Sequence, residues 1–174
     1  PIKSSAASDV YKRQGHICPD CVKWLKMGPQ GLLDQAEEKL KICKEGQKDF
    51  YESVKIVMEG AKHFMVRYHD LIMDMAENES DETRKQTMIK VAQNCKNISE
   101  RPVQTFHEAV QSTWFLFVIL QMESNASSFS PGRLDRHLEA YYEKDIKEGN
   151  KKTFTGSREE LIKEGYIPCG RCKP

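Results

Sequence analysis

Residues 50–75, FYESVKIVMEGAKHFMVRYHDLIMDM, carry apolar side chains at Phe50, Tyr51, Val54, Val57, Met58, Ala61, Phe64, Met65, Tyr68, Leu71, Ile72 and Met75. This i, i+3, i+4, i+7 rhythm is unbroken, and it predicts one helix of about 28 residues, roughly 42 Å long at 1.5 Å per residue. Such a helix has one apolar stripe and one charged face, so it lies on the surface of something larger or in a bundle. No strand pattern of comparable strength and no internal repeat is found elsewhere in the chain. The fold class read from the pattern is mainly α.

The segments on either side follow the same period. Leu32, Leu33, Ala36, Leu40 and Cys43 predict an amphipathic helix from Gly31 to about Glu45, with Gly46 as its stop. Ser80, followed by Asp81 and Glu82, is read as the cap of a helix reaching about Asn97, with Met88, Val91, Ala92 and Cys95 inward. Thr105-Phe-His-Glu108 has the form of a capping box, in which hydroxyl and carboxylate each satisfy an orphan amide. The helix it opens runs to about Glu123 and contains WFLFVIL at residues 114–120, apolar on every side, so burial all round is expected. A loop, SNASSFSPG, then leads to a helix from Arg133 to about Lys147 with Leu134, Leu138, Tyr141, Tyr142 and Ile146 on one face. Residues 1–14 are small, polar and aperiodic, and resemble translated adapter sequence; they are expected to be a disordered arm foreign to the protein.

Composition removes several functions. The 27 basic and 26 acidic residues of the 174 are interleaved, which leaves no electrostatic footprint for nucleic acid or an anionic membrane. The longest apolar run, Trp114 to Leu120, is far short of the roughly 20 residues needed to span a bilayer. The first residues lack the apolar core of a signal peptide, so a cytoplasmic location is expected. The six cysteines then read as reduced thiols or metal ligands.

Candidate chemistry is sparse. Cys18/Cys21 and Cys169/Cys172 are two Cys-x-x-Cys pairs that could share a tetrahedral zinc, although nearly the whole chain separates them. His63 and His69 fall on different helix faces, His107 and His137 lack close companions, and each is read as a surface or hydrogen-bonded side chain. His16 differs, because it sits in a Gly-His-Ile-Cys-Pro turn from which a loop could present it. Asp20, Glu108, Glu123 and Asp135 could supply an acid/base pair, but spacing selects none, and Glu108 already has its place in the capping box. Met58, Met65, Met73 and Met75 are read as core fillers. No glycine-rich phosphate loop or nucleophile elbow is present, and the residues taken alone name no reaction.

Three stretches carry a resemblance. GHICPDCVKWLKMGPQGLLDQAEEKL at 15–40 resembles the Gly-His, acidic turn and Lys-x-Leu-x-x-Gly-x-x-Gly of glycyl radical enzymes of the glycerol dehydratase type. ERPVQTFHEAVQSTWFLFVILQMESN at 100–125 is similar to their Pro-x-x-Thr-Phe-x-Glu-Ala-x-Gln segment ending in Gln-x-Glu-Ser-Asn. SSFSPGRLDRHLEAYYEKDI at 127–146 matches Ser-x-Ser-x-Gly-Arg-x-Asp followed by Tyr-Tyr-x-x-Asp-Ile. Order and spacing agree over about Gly15 to Gly149.

The resemblance implies that residues 15–149 are a helical fragment of a pyruvate formate-lyase-like α/β barrel. In the complete enzyme a glycyl radical, installed by a radical SAM activating enzyme, generates a cysteine thiyl that abstracts hydrogen from a small polyol, amine or hydroxylated amino acid. The thiyl cysteine and glycyl loop motifs are not among these residues, so the fragment is expected to be inactive alone; a homo-oligomer is expected for the whole. By position, His16 and Ser128, with Ser130 as its near alternative, correspond to residues that hydrogen-bond substrate. Where the family commonly has Gly-His this chain has Ala126-Ser127, which leaves the substrate open. Residues 150–174 resemble half of an Ada-like cysteine module joined as a chimera near Gly149, in which Cys169 and Cys172 would bind zinc. The reading from a different class is a non-enzymatic helical binding module with that zinc tail, separable by metal analysis.

Overall fold

The computed structural model describes residues 16–124, 128–149 and 157–163. The arm at 1–14, the Ala126-Ser127 departure and most of the 150–174 tail, with Cys169 and Cys172, lie outside the described residues. Strand β1 (His16–Ile17) is followed by helices α1 (Cys21–Leu40), α2 (Lys48–Glu77), α3 (Glu82–Glu100) and α4 (Phe106–Ser124). Strand β2 (Ser128–Phe129), α5 (Leu134–Lys147) and the short α6 (Arg158–Lys163) complete the order.

The 30-residue α2 is the long helix that the periodicity predicts, and it packs between α1 and α3. Met65 and Ala61 are buried at its centre, while Phe50 and Met75 near its two ends remain more than half exposed. At 1.5 Å per residue α2 runs about 45 Å and its neighbours about 30 Å, so its ends outreach the surfaces that could cover them.

Helix α1 begins ten residues before the expected start, at Cys21, with Asp20 as N-cap accepting the Lys23 amide at 2.9 Å. Gly28 breaks its path with φ 65° and ψ 176°, and Pro29 restarts it as a first-turn residue whose missing N–H costs nothing. The Gly-Pro pair is a kink that lets α1 meet the end of α3. A Cβ on Gly28 would lie 3.1 Å from the Arg101 carbonyl oxygen. The expected stop at Gly46 is also corrected: α1 ends at Leu40, and Gly46 lies in a 3-10 turn, Glu45–Gln47, that leads into α2. The cap of α3 is Asp81 rather than Ser80, its carboxylate accepting the Arg84 amide at 3.1 Å.

The core gathers Trp24 and Leu25 of α1, Met65 of α2, Cys95 and Ile98 of α3, and Phe115, Leu116 and Ile119 of α4. Helix α4 is less enclosed than its composition suggests. Phe115 and Ile119 are buried and Phe117 is half-buried, but Trp114 is 63% exposed and Met122 58%. The described helices cover only part of a helix that is apolar on all faces. Beside the helices, β1 and β2 form a two-residue parallel pair with His16 opposite Ser128 and Ile17 opposite Phe129. Two residues are too few for a period-2 pattern to be read.

Gly28→Ala is expected to destabilise the chain by roughly 2 kcal/mol, since it combines a positive φ with contact against fixed backbone. Chemical denaturation of the two chains side by side measures the difference; equal midpoints would show that the kink is not strained by a side chain.

Candidate functional site

The β1–β2 pair is where the two ends of the sequence resemblance come together. Its placement begins in the core. The buried Trp24 indole, in the first turn of α1, donates to the Ser112 hydroxyl at 2.9 Å and to the Ser112 carbonyl at 3.1 Å. This tie holds the start of α1 to the middle of α4, and β1 immediately precedes α1 while β2 follows α4. Phe129 of β2 then packs edge-on against Phe117 of α4, with ring centroids 5.2 Å apart, and Phe117 stacks on Trp114 at 5.3 Å. The Ser130 amide donates to the Ile17 carbonyl at 2.9 Å, extending the pairing by one residue. The exposed Ser130 hydroxyl accepts the Gly132 amide at 3.4 Å, closing a turn in which Gly132 takes φ 69°. Of the expected substrate-binding residues, His16 and Ser128 are thus directly paired along the backbone and Ser130 is two positions on.

The expected acid/base candidates do not assemble. Asp20 caps α1. Asp135 is exposed and paired with Arg133 at 2.7 Å, and that guanidinium draws its carboxyl down to about 2, so it is an anion rather than a proton donor. The side chain of Glu123 lies outside the described set. Glu108 is 2% exposed and forms a hub: Oε1 accepts from Arg101 Nη2 at 2.7 Å and Asn97 Nδ2 at 3.0 Å, while Oε2 accepts from Arg101 Nη1 at 3.0 Å and the Gln104 amide at 2.8 Å. The Thr105 hydroxyl caps the Glu108 amide at 3.1 Å as the box predicts. The returning arm of the box differs, because the Glu108 carboxylate takes the Gln104 amide and the Arg101 fork. Burial pushes the Glu108 carboxyl up, but the Arg101, Gln104 and Asn97 hydrogen bonds outweigh it and hold the group below its ordinary range.

Among the described residues no group of three or more His, Cys, Asp or Glu could hold a metal ion. Cys18 is exposed, and Cys21 is buried, which raises its thiol above the ordinary range and keeps it protonated. His63 is exposed, and His69 contacts Asp70 at 2.8 Å. Met65 is fully buried as a core filler. Periodicity alone did not reveal an open groove of about 350 Å³ between α2, α3 and α4, lined by Phe64, Tyr68, Ile72, Trp114 and Phe115 among others. The apolar run at 114–120 was its signal, read as core. No helix among the described residues is long and apolar enough to cross a membrane.

The profile of the pyruvate formate lyase-like family matches residues 5–163. The chain belongs to that family. The match takes in part of residues 1–14 and of residues 150–174. The (2S)-3-sulfopropanediol dehydratase of Klebsiella oxytoca is 35% identical over 163 residues, which is 90% of this chain and 20% of the relative. The glycerol-bound form of the B12-independent glycerol dehydratase from Clostridium butyricum superposes with a TM-score of 0.71 at 33% identity, over 81% of this chain and 18% of that one. A glycyl radical enzyme from Archaeoglobus fulgidus superposes with a TM-score of 0.74 at 26% identity, over 84% of this chain and 21% of that one. The chain therefore spans about a fifth of the length of these relatives. Its helices are those of a glycyl radical enzyme fold, and its relatives are lyases and dehydratases.

A depressed Glu108 contributes stability that is present above its unfolded value, about 4.3, and lost as pH falls through its folded value. Thermal melts should thus change little between pH 7 and about pH 5 and fall below about pH 4. Glu108→Gln should lower stability at pH 7 by roughly 2–3 kcal/mol, near the low end for a broken buried pair because the Arg101 side chain is 32% exposed, and should flatten the acid limb. An unchanged acid limb in the variant would remove Glu108 from that account.

Proposed function

We propose that this chain is a substrate-cavity segment of a glycyl radical dehydratase or lyase acting on a small polyol, amine or hydroxylated amino acid. In the complete enzyme a thiyl radical, formed by way of the glycyl radical, would abstract hydrogen from a substrate carbon. The present residues would bind and orient that substrate. The observation that carries the reading is the in-register backbone pairing of His16 with Ser128, with Ser130 next on the same edge. Helix packing brings the turn before the first helix and the loop after the most apolar helix to one edge, and both contribute residues of a hydrogen-bonding type there. Imidazole and hydroxyl groups suit the role, since a polyol taken out of water must find partners for its hydroxyls or lose several kcal/mol of binding.

On this reading the segment is inactive by itself, and a radical SAM activating enzyme and a homo-oligomeric state belong to the whole protein. The exposed row of Val110, Trp114 and Met122 on α4 supports the same view, being apolar surface that a further part of a barrel would cover. Residues 15–149 would be the barrel segment. Residues 150–174, with Cys169 and Cys172, would be a separate cysteine-bearing tail whose zinc content metal analysis would decide.

The test is His16→Ala in the complete enzyme carrying this segment, with glycerol as first substrate. Turnover should fall roughly 10- to 100-fold, the loss of one or two charge-free hydrogen bonds, while the glycyl radical signal in electron paramagnetic resonance keeps its full amplitude. Loss of the radical signal would assign His16 to folding or activation, and unchanged turnover would remove it from the cavity.

A further inference from the structure

Helix α5 is lightly held. Asp145 is its one buried residue among those described, and its apolar Leu138 and Tyr141 are only partly covered against the core. Among the described residues, its polar anchors to the α4 end of the molecule lie far from β2, at the N-terminal end of α4. Asp145 Oδ2 accepts the Phe106 amide at 3.0 Å, Lys144 Nζ donates to the Gln104 carbonyl at 3.2 Å, and the Tyr142 ring meets Phe106 edge-on at 5.4 Å. The last turns of α5 thus sit on the first turn of α4. Asp145 acts as a cap supplied from another helix, a carboxylate at the positive end of the α4 dipole. Thr105 serves the Glu108 amide, so the two caps divide the first turn between them.

The energetics of Asp145 point to geometry rather than stability. The residue is 3% exposed, and its second oxygen, Oδ1, is buried without a hydrogen-bond partner among the described residues. A half-satisfied buried carboxylate costs on the order of what its one amide bond returns. What it supplies is position: a backbone N–H is a fixed point, and a short side chain accepting from it allows no sliding. A slip of α5 along α4 by one turn would carry Leu134, and the end of the 128–133 segment, about 5.4 Å. That segment contains β2 and Ser130.

We propose that Asp145 is a positioning residue: it sets the register of α5 against α4 and thereby holds Ser128 and Ser130 level with His16 on the β1–β2 pair. The functional importance of this rests on the reading of that pair as a substrate site. The geometry does not, and the test below needs no substrate, so its failure and the failure of the His16 experiment are distinguishable.

Amide hydrogen exchange on the full chain, resolved by NMR, reads the coupling. In Asp145→Ala, exchange at Phe106 should rise about tenfold or more, and exchange at Ser130, whose amide bonds Ile17, should rise with it. Val103, whose amide bonds the Leu25 carbonyl at 3.4 Å, should keep its protection and report an intact core. Asp145→Asn, which retains an acceptor oxygen, should restore Ser130 to near its original rate. Faster exchange at Phe106 with Ser130 unchanged would overturn the proposal, leaving Asp145 a helix cap and nothing more. Should Asp145→Ala unfold the chain, seen as loss of Val103 protection, the unsubstituted protein decides. With rising denaturant, Phe106 and Ser130 must then open in one shared step below the global one, and separate openings would overturn the proposal equally.

Discussion

A single indole nitrogen constrains much of this structure. Trp24 is 5% exposed, and its N–H would be an unmet donor in the core if Ser112 did not present both its hydroxyl and its carbonyl to it. An unmet donor there would cost on the order of 1–3 kcal/mol, so the two helices have little freedom to part or rotate. With α1 and α4 locked at that point, the residues just before α1 and just after α4 are brought to the same edge. The two-residue strand pair is too short to hold itself together and is a consequence of the helix packing, not its cause.

A second knot lies at the other end of α4, and it is polar where the pattern promised only packing. Arg101, Asn97 and the Gln104 backbone converge on Glu108, while the Arg101 carbonyl lies against the backbone of Gly28. The α1 kink, the α3 terminus and the α4 start are therefore one unit. The Arg101 fork on a nearly inaccessible carboxylate outweighs the desolvation of that carboxylate because four donors share it. Phe106, beside this knot, is the residue on which α5 closes through Tyr142 and Asp145. The residues that carry the likeness to glycyl radical enzymes at 100–125 and at 127–146 thus meet one another as well as the first stretch.

The opposite surface is of another character. Trp114 is stacked on Phe117 yet 63% open, and the groove beside it is walled by Phe64, Tyr68 and Phe115, which form a mutual edge-to-face set. Aromatic faces of this size are seldom left to water in a finished domain. The relatives that this chain matches are about five times as long.

The sequence by itself determined the helices, because a 3.6-residue period repeated over dozens of residues is a local property that packing can only select. It set α2 to within about two residues at each end, the Thr105 cap and the mainly α class, and through three quoted stretches it named the family. Tertiary structure alone decided three things. The Gly28-Pro29 pair is a kink and not a boundary, because the Arg101 backbone occupies the space a side chain would need. Glu108 turns from its own helix end to Arg101, because an arginine fork and a fixed amide compete better for a buried carboxylate than the reciprocal arm of the box. The resemblance placed His16 and Ser128 at one site, but the backbone register in which they pair across more than a hundred residues is tertiary, because a hydrogen bond between Trp24 and Ser112, with no trace in any local pattern, ties together the helices they flank.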